Sequence, residues 1–248
     1  MIDWRVAIPT YKRCEQLKEK TLGTLARGGV SPSLVDIFVA DATDADRYKN
    51  ALTKGTYAKI VVAEPGIGPA RNFISHYYPD GKYIVEIDDD IQGVVYASSP
   101  KQMTEISDLS GFFANGFEAC TAVGARIWGV YPMCNPFYMS GNQEMTTDLR
   151  PIIGALHGHI NDHSHRLVCS GKEDIERTLL YFEKDLRIVR YNRMAAKQVV
   201  FAKGGLENLR TAETSLRDAK FLCERWPHWV TMKKSFSRGH AEVKLKAG

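Results

Sequence analysis

Tyr83-Ile-Val-Glu-Ile-Asp-Asp-Asp90 is an apolar run that breaks into three consecutive carboxylates. Its first five residues read as a buried strand over 83–87. In open parallel sheets ligands bind beyond the carboxyl ends of the strands, which is where Asp88, Asp89 and Asp90 emerge. Carboxylates about 5 Å apart repel by about 3 kcal/mol at an effective dielectric of about 20, so holding several ionised requires a counter-charge. An all-oxygen donor set points to Mg2+ or Mn2+, bound through one or two carboxylates and the phosphates of a substrate. In an extended chain Asp88 and Asp90 share one side and Asp89 points to the other. A solvated acidic turn is the competing reading, and the position after a fourth apolar strand favours the cation.

Upstream, strand-like runs at 5–8, 35–40 and 59–62 alternate with amphipathic stretches at 14–26, 44–52 and 68–78. This is the pattern of an α/β fold with a mostly parallel central sheet and helices on both faces. Four βα units are expected before the triplet. Gly68-Pro69 opens the third helix, as proline does at a first helical position. Downstream, helices are expected at 108–122, 172–184 and 211–225. Strands are expected at 127–130, 137–140, 152–157, 187–191, 230–233 and 242–246. There is no repeat or linker, so one domain is expected.

The 248 residues are 44% apolar and 25% charged, with a net charge of +4, which is globular usage and permits a polyanionic partner. Cys14, Cys120, Cys134, Cys169 and Cys223 are scattered and odd in number, and read as reduced thiols. Neither a signal peptide nor a run of about 18 apolar residues is present, which predicts a soluble, cytoplasmic protein. It is expected to be a monomer or weak dimer.

Other side chains carry possible chemistry. Val6-Ala-Ile-Pro-Thr-Tyr-Lys-Arg13 is a strand that breaks into a turn with two cations before a helix, a place to receive a nucleotide. Arg71 lies one helical turn beyond a glycine-rich segment and can reach a phosphate or base. Asp41 either accepts a hydrogen bond from a base or caps the next helix. Asp174 opens an amphipathic helix whose dipole keeps a carboxylate ionised, and it can take the proton of an attacking hydroxyl. Acidic residues in a first helical turn are also common for helix stability alone, which is the better reading of Asp174 from the residues by themselves. His157, His159, His163 and His165 fit no zinc spacing and read as a polar loop. Trp128, Tyr131, Phe137 and Tyr138 can stack a base or sugar, with core packing the better reading for most.

Taken together, V-A-I-P-T-Y-K-R at 6–13, G-I-G-P-A-R-N at 66–72, D-D-D at 88–90 and G-K-E-D at 171–174 resemble the landmarks of GT-A glycosyltransferases with a DxD motif. W-G-V-Y-P at 128–132, N-P-F-Y-M at 135–139 and T-T-D-L-R at 146–150 narrow the likeness. They are similar to phage-encoded, TET/JBP-associated enzymes that glycosylate hydroxymethylated pyrimidines in DNA. The resemblance covers residues 5 to about 210. It implies a Rossmann-like GT-A domain over 1–248, with the donor half at about 1–95 and the acceptor half at about 96–248.

By the same resemblance, Pro9, Thr10, Tyr11 and Arg13 edge the nucleobase and ribose, and Asp41 with Arg71 completes that pocket. Asp88 and Asp89 contact the donor, Asp88 and Asp90 hold Mn2+ or Mg2+, and Glu173 with Asp174 supplies the catalytic base. The implied donor is a UDP-sugar, UDP-glucose first. The implied acceptor is 5-hydroxymethylcytosine in phage DNA, in the host cytoplasm. Three rivals differ in chemistry. A sugar-phosphate nucleotidyltransferase wants a glycine-rich loop where Pro9-Thr10 stands. A glycosyltransferase can act instead on a glycan or small molecule. A non-catalytic nucleic-acid-binding module would rest on the basic stretch 233–238 with Lys244 and Lys246.

Overall fold

The structure, a computed structural model, describes residues 2–198, 211–234 and 239–246. β1 (Trp4–Thr10), β2 (Val35–Val39), β3 (Lys59–Val62) and β4 (Tyr83–Ile87) form where the apolar runs place them. They pair in parallel in the order β3-β2-β1-β4. β1 leads into a continuous helical stretch: α1 (Cys14–Gln16), a π-helical turn (Leu17–Leu22) and α2 (Gly23–Arg27). α3 (Ala42–Ala51) follows β2 and α4 (Ile67–Tyr77) follows β3. Three βα units, not four, therefore precede the triplet, because β4 runs into it without a helix. Gly66, at φ 100°, turns the chain into α4. Pro69 is the third helical residue rather than the first, still within the turn whose N–H groups have no intrahelical acceptor.

The eight-stranded sheet continues from β4 through β9 (Leu156–Ile160), β7 (Ile127–Val130), β10 (Val189–Tyr191) and β8 (Met145–Thr146). β9 is antiparallel to β4 and β7, and β8 to β10, while β7 and β10 run with β4. The expected mostly parallel α/β sheet is thus present. On one face Val6, Ile8, Ile37, Val39, Val85 and Trp128 share a core with α2, α3 and α5 (Leu109–Val123). Trp128 is fully buried, and a Cβ on Gly116 or Gly158 would lie 2.6 or 2.2 Å from its ring. Both positions therefore exclude a side chain, and Trp128 belongs to the core rather than to a stacking surface. On the other face Ala7, Phe38 and Ile84 take Ile74 and Tyr78. Farther along, Ile127 takes Leu179 of α7 (Glu173–Asp185), with Leu222 of α8 (Ala212–Arg225) in the same cluster.

Two expectations are corrected. Residues 137–140 are not a strand: Pro136–Met139 is the short helix α6, because Asn135 accepts from the Phe137 N–H and Pro136 occupies the first helical position. The strand expected at 152–157 begins only at Leu156. Before it, the Ile152 N–H donates to Thr178 Oγ1 and the Gly154 carbonyl accepts from Arg71, so those groups are taken by side chains. A second sheet, β11-β5-β6, was not expected. In it β5 (Gly93–Ser99) is flanked by β6 (Gln102–Glu105) and β11 (Met194–Lys197). The five cysteines are free thiols. Among the described residues no helix is long and apolar enough to cross a membrane. Residues 235–238 of the basic stretch lie outside the described residues.

Candidate functional site

β1 and β4 are adjacent and parallel, so Pro9-Thr10 and Asp88-Asp89-Asp90 emerge on one rim. Their ladder stops at Ala7 and Glu86, ahead of Pro9, which has no N–H to donate. The triplet is a turn rather than extended chain, so the expected alternation of its side chains does not hold. Asp89 and Asp90 share one cation, with Arg13 Nη1 at 3.5 and 3.8 Å, whereas Asp88 faces Arg71 at 3.4 Å. Asp89 is also held by Thr10 Oγ1 at 2.6 Å, which in turn lies 2.6 Å from the Tyr48 hydroxyl. The Asp88 N–H donates to the Ala155 carbonyl at 3.0 Å, and the π-helical turn supplies further fixings. Thr21 Oγ1 donates to the Asp88 carbonyl at 2.7 Å and accepts from the Ile91 N–H at 2.9 Å. A wider helical turn at a functional rim is a recurrent use of that geometry.

The Asp88 side chain is a third exposed, at 34%. Burial of the rest, with Asp89, Asp90 and Glu173 nearby, outweighs Arg71 and pushes its carboxyl up to about 7. Among the described residues, the cations at the rim thus leave its negative charge incompletely balanced.

Behind Asp88 lies a buried ionic cluster. Arg71 of α4 is 4% exposed. Its Nη1 is 2.8 Å from Glu86, Nη2 is 3.4 Å from Asp88 and 3.2 Å from the Gly154 carbonyl, and Nε is 3.9 Å from Glu173. A Cβ on Gly154 would lie 2.4 Å from Nη2, so only glycine lets the guanidinium through. These contacts place Arg71 among carboxylates. None is with a residue of the base pocket that the family resemblance implies.

Glu173 and Asp174 open α7 after a loop fixed by two buried carboxylates. Glu176 accepts from the N–H groups of Val168 and Cys169, and Asp218 from those of Ser170 and Gly171. Glu173 is buried, and burial with the Asp174 charge raises its carboxyl above the usual range. Asp174 is half-buried, its Oδ1 accepting from the Ile175 N–H. Asp41 caps α3 by accepting from the Asp44 N–H at 2.8 Å, and Tyr11 is exposed at the rim with Lys12 over its ring.

No protein-family model and no curated protein matches the sequence. Solved structures do. Mannosyltransferase PcManGT from Pyrobaculum calidifontis, solved with GDP-Man and Mn2+, matches with a TM-score of 0.54 at 15% identity, over 91% of this chain and 63% of that one. S. aureus TarS 1-349 with UDP-GlcNAc matches at 0.53 and 13% identity, over 90% and 67%. Glucosyl-3-phosphoglycerate synthase from Mycobacterium tuberculosis, with Mg2+ and UDP, matches at 0.53 and 12% identity, over 99% and 88%. The fold is the GT-A fold. The chain spans less than two thirds of the length of the mannosyltransferase.

Around this GT-A rim the sequence had concealed several residues. His157 and His159 belong to buried β9 rather than to a polar loop, and face Glu86 at 3.5 and 3.8 Å. The alternation His-Gly-His was the available strand signal. Ligand atoms of Glu86, His157 and His159 lie within 4.8 Å of one another, close enough for one metal ion. However, Arg71 and Arg177 approach the same carboxylate at 2.8 and 3.6 Å, and two guanidiniums oppose a further cation there.

Burial keeps both imidazoles neutral, with His159 lowered to about 4. Between about 4 and 6.5 the unfolded chain binds a proton on this ring that the folded chain does not. His159 therefore contributes stability that is complete above 6.5 and lost as pH falls toward 4. The unfolding free energy of the wild type minus that of His159→Asn is expected to grow by about 1.4 kcal/mol per pH unit across that window. Urea titrations at successive pH values measure this, and a flat difference would contradict a buried neutral ring.

Of the aromatic candidates, Phe137 and Tyr138 are 67% and 54% exposed, and Tyr131 is half-buried beneath Arg190. A cavity of about 190 Å3 lined by Leu22, Leu25, Val30 and Val35 includes none of the triplet.

Proposed function

We propose that this chain is a metal-dependent hexosyltransferase that moves a sugar from a UDP-sugar, UDP-glucose first, to an acceptor hydroxyl. The acceptor we favour is a 5-hydroxymethylpyrimidine, 5-hydroxymethylcytosine above all, in DNA. The observation that carries the reading is the contact of one guanidinium, Arg71, with both Asp88 and Glu173. It joins the carboxylates at the end of β4 to the acidic pair that opens α7. Support for the donor comes from the GT-A fold and from the GDP-Man, UDP-GlcNAc and UDP complexes of proteins that share it. The sequence resemblance alone supports the DNA acceptor.

The residues present fit a divalent cation: an all-oxygen set at a strand end, with Asp88 partly open and no cation of the described residues nearer than 3.8 Å to Asp90. Asp88 and Asp90 would hold it. Bound there, Mg2+ or Mn2+ supplies positive charge to the diphosphate leaving group. Thr10, Asp89 and Arg13 keep the turn in one shape, and Pro9 with Tyr11 edges the nucleotide. Asp174 takes the proton of the acceptor hydroxyl as it attacks the sugar carbon, and Glu173, buried against Arg71, orients the helix end that carries it.

UDP release from UDP-glucose with hydroxymethylcytosine-containing DNA, with and without chelator, is the primary test. Pyrophosphate release from UTP and a sugar phosphate would instead favour a nucleotidyltransferase. Asp174→Asn is expected to lower kcat by about 10²- to 10⁴-fold while UDP affinity is retained. Near-normal turnover in that variant would remove Asp174 as the base.

A further inference from the structure

Arg190 of β10 is 95% removed from solvent, being 5% exposed, yet no carboxylate among the described residues pairs with it. Its Nε donates to Asn192 Oδ1 at 2.8 Å, and its guanidinium lies over the Tyr131 ring at 5.3 Å. Asn192 is itself buried and donates to Thr146 Oγ1 at 3.2 Å, so the fork is held in one orientation. Arg150 brings a second, like charge close enough to act on it. Burial and Arg150 together pull the Arg190 guanidinium down to about 10, with Tyr131 and Asp148 opposing more weakly. Asp148 is taken by Arg150, whose Nε it accepts at 2.9 Å. A buried cation left without a counter-charge destabilises the fold unless a ligand supplies the charge.

The sheet register fixes where this cation sits. Glu86 pairs with His157, His157 with Gly129 and Gly129 with Arg190, so Arg190 lies in one row with Glu86, about 14 Å across the sheet. β10 and β4 run the same way, and Arg190 stands one residue before the end of β10, so it lies near the rim that carries the triplet, on the side away from β1. A diphosphate seated at Asp88 and Asp90 leaves that side of the rim to the acceptor.

We propose that Arg190, with Arg150 beside it, is an anion-reading subsite on the acceptor side, and that the accepting hydroxyl belongs to a molecule carrying a phosphate. The planar fork of Arg190, pre-oriented by Asn192 and Tyr131, suits a phosphate's paired oxygens better than a point charge would. This assignment rests on the glycosyl-transfer reading above for the acceptor, but not for the binding of the anion itself.

Inorganic phosphate is the direct probe. The full chain, without nucleotide or added cation, is titrated with phosphate up to about 50 mM, following the Tyr131 and Asn192 amide resonances. Saturable shifts are expected in the wild type, with affinity at least about tenfold weaker in Arg190→Gln and intermediate in Arg190→Lys. No saturable shift in the wild type, or equal affinity in Arg190→Gln, overturns the subsite.

The second arm compares acceptor KM for 5-hydroxymethylcytidine, its 5′-monophosphate and an oligodeoxynucleotide containing the base. The phosphate is expected to lower KM about tenfold or more in the wild type, and Arg190→Gln to close that gap. The ratio is taken within one protein, so any loss of fold cancels. An advantage for the oligonucleotide over the monophosphate assigns the anion to a strand, and parity assigns it to a free phosphorylated molecule. Equal KM with and without phosphate defeats the subsite while leaving glycosyl transfer intact. Phosphate binding at Arg190 with none of the three glycosylated defeats the acceptor reading while the subsite stands.

Discussion

Asp88→Asn and Asp90→Asn are each expected to lower kcat/KM for UDP-sugar turnover by about 10²- to 10³-fold, the range seen when one stabilising group at a developing charge is lost. The two variants should part company in stability. Asp88 is pushed up to about 7 in the fold from an ordinary 3.8, so between those values the folded chain holds a proton that the unfolded chain has lost. Stability therefore falls as pH rises through that window, and above it the ionised Asp88 is a net burden on the fold. Removing its charge should raise the melting temperature at pH 8 even as turnover disappears. Asp90→Asn takes away a partner that Arg13 approaches at 3.8 Å, and no such gain is expected. Melting curves at pH 8 and UDP release across a Mn2+ titration measure both effects. Wild-type turnover in either variant, or in the presence of chelator, would remove the cation from the triplet. Sites that bind charge often sacrifice stability in this way, because a carboxylate placed for a cation is unbalanced without it.

The sequence made the first half of the fold readable because each of β1 to β4 is a short apolar run bounded by turn chemistry. The second half resisted because its strands are short or polar. β5, β6 and β11 form a separate small sheet, and β9 carries two histidines in a strand of five. The triplet itself was legible, but its geometry was not. Alternation presumes an extended chain, and here Thr21, 67 residues away, folds the segment into a turn by bonding the Asp88 carbonyl. Arg71 stood out as a cation beyond a glycine-rich turn. Its partners are 15 to 102 positions distant, and periodicity within a helix carries no information about them. Gly154 was invisible for the same reason, since its glycine requirement arises from Arg71 passing 2.4 Å from where its Cβ would be.

That long-range cluster sets the remaining large effect. Arg71→Met is expected to destabilise the protein by about 3–5 kcal/mol, the usual consequence of removing one partner from a buried ionic group. For a chain of this size that corresponds to a melting temperature lower by roughly 6–20 °C. Burial alone would push the Glu86 carboxyl up, yet Arg71, His157 and Arg177 hold it well below the usual range. In the wild type this contributes stability that is present above the ordinary carboxylate pKa and lost as pH falls through the folded value. Without Arg71 the acid limb of the stability curve should therefore flatten as well as drop.

Arg71→Lys keeps a charge but not a fork able to touch Glu86, Asp88 and Glu173 together, so it should recover stability further than turnover. That split is the informative outcome. If Lys restores both equally, Arg71 serves only to neutralise buried carboxylates. If it restores melting temperature but leaves kcat depressed, the fork sets the geometry between the end of β4 and the opening of α7, on which the proposed sugar transfer would depend.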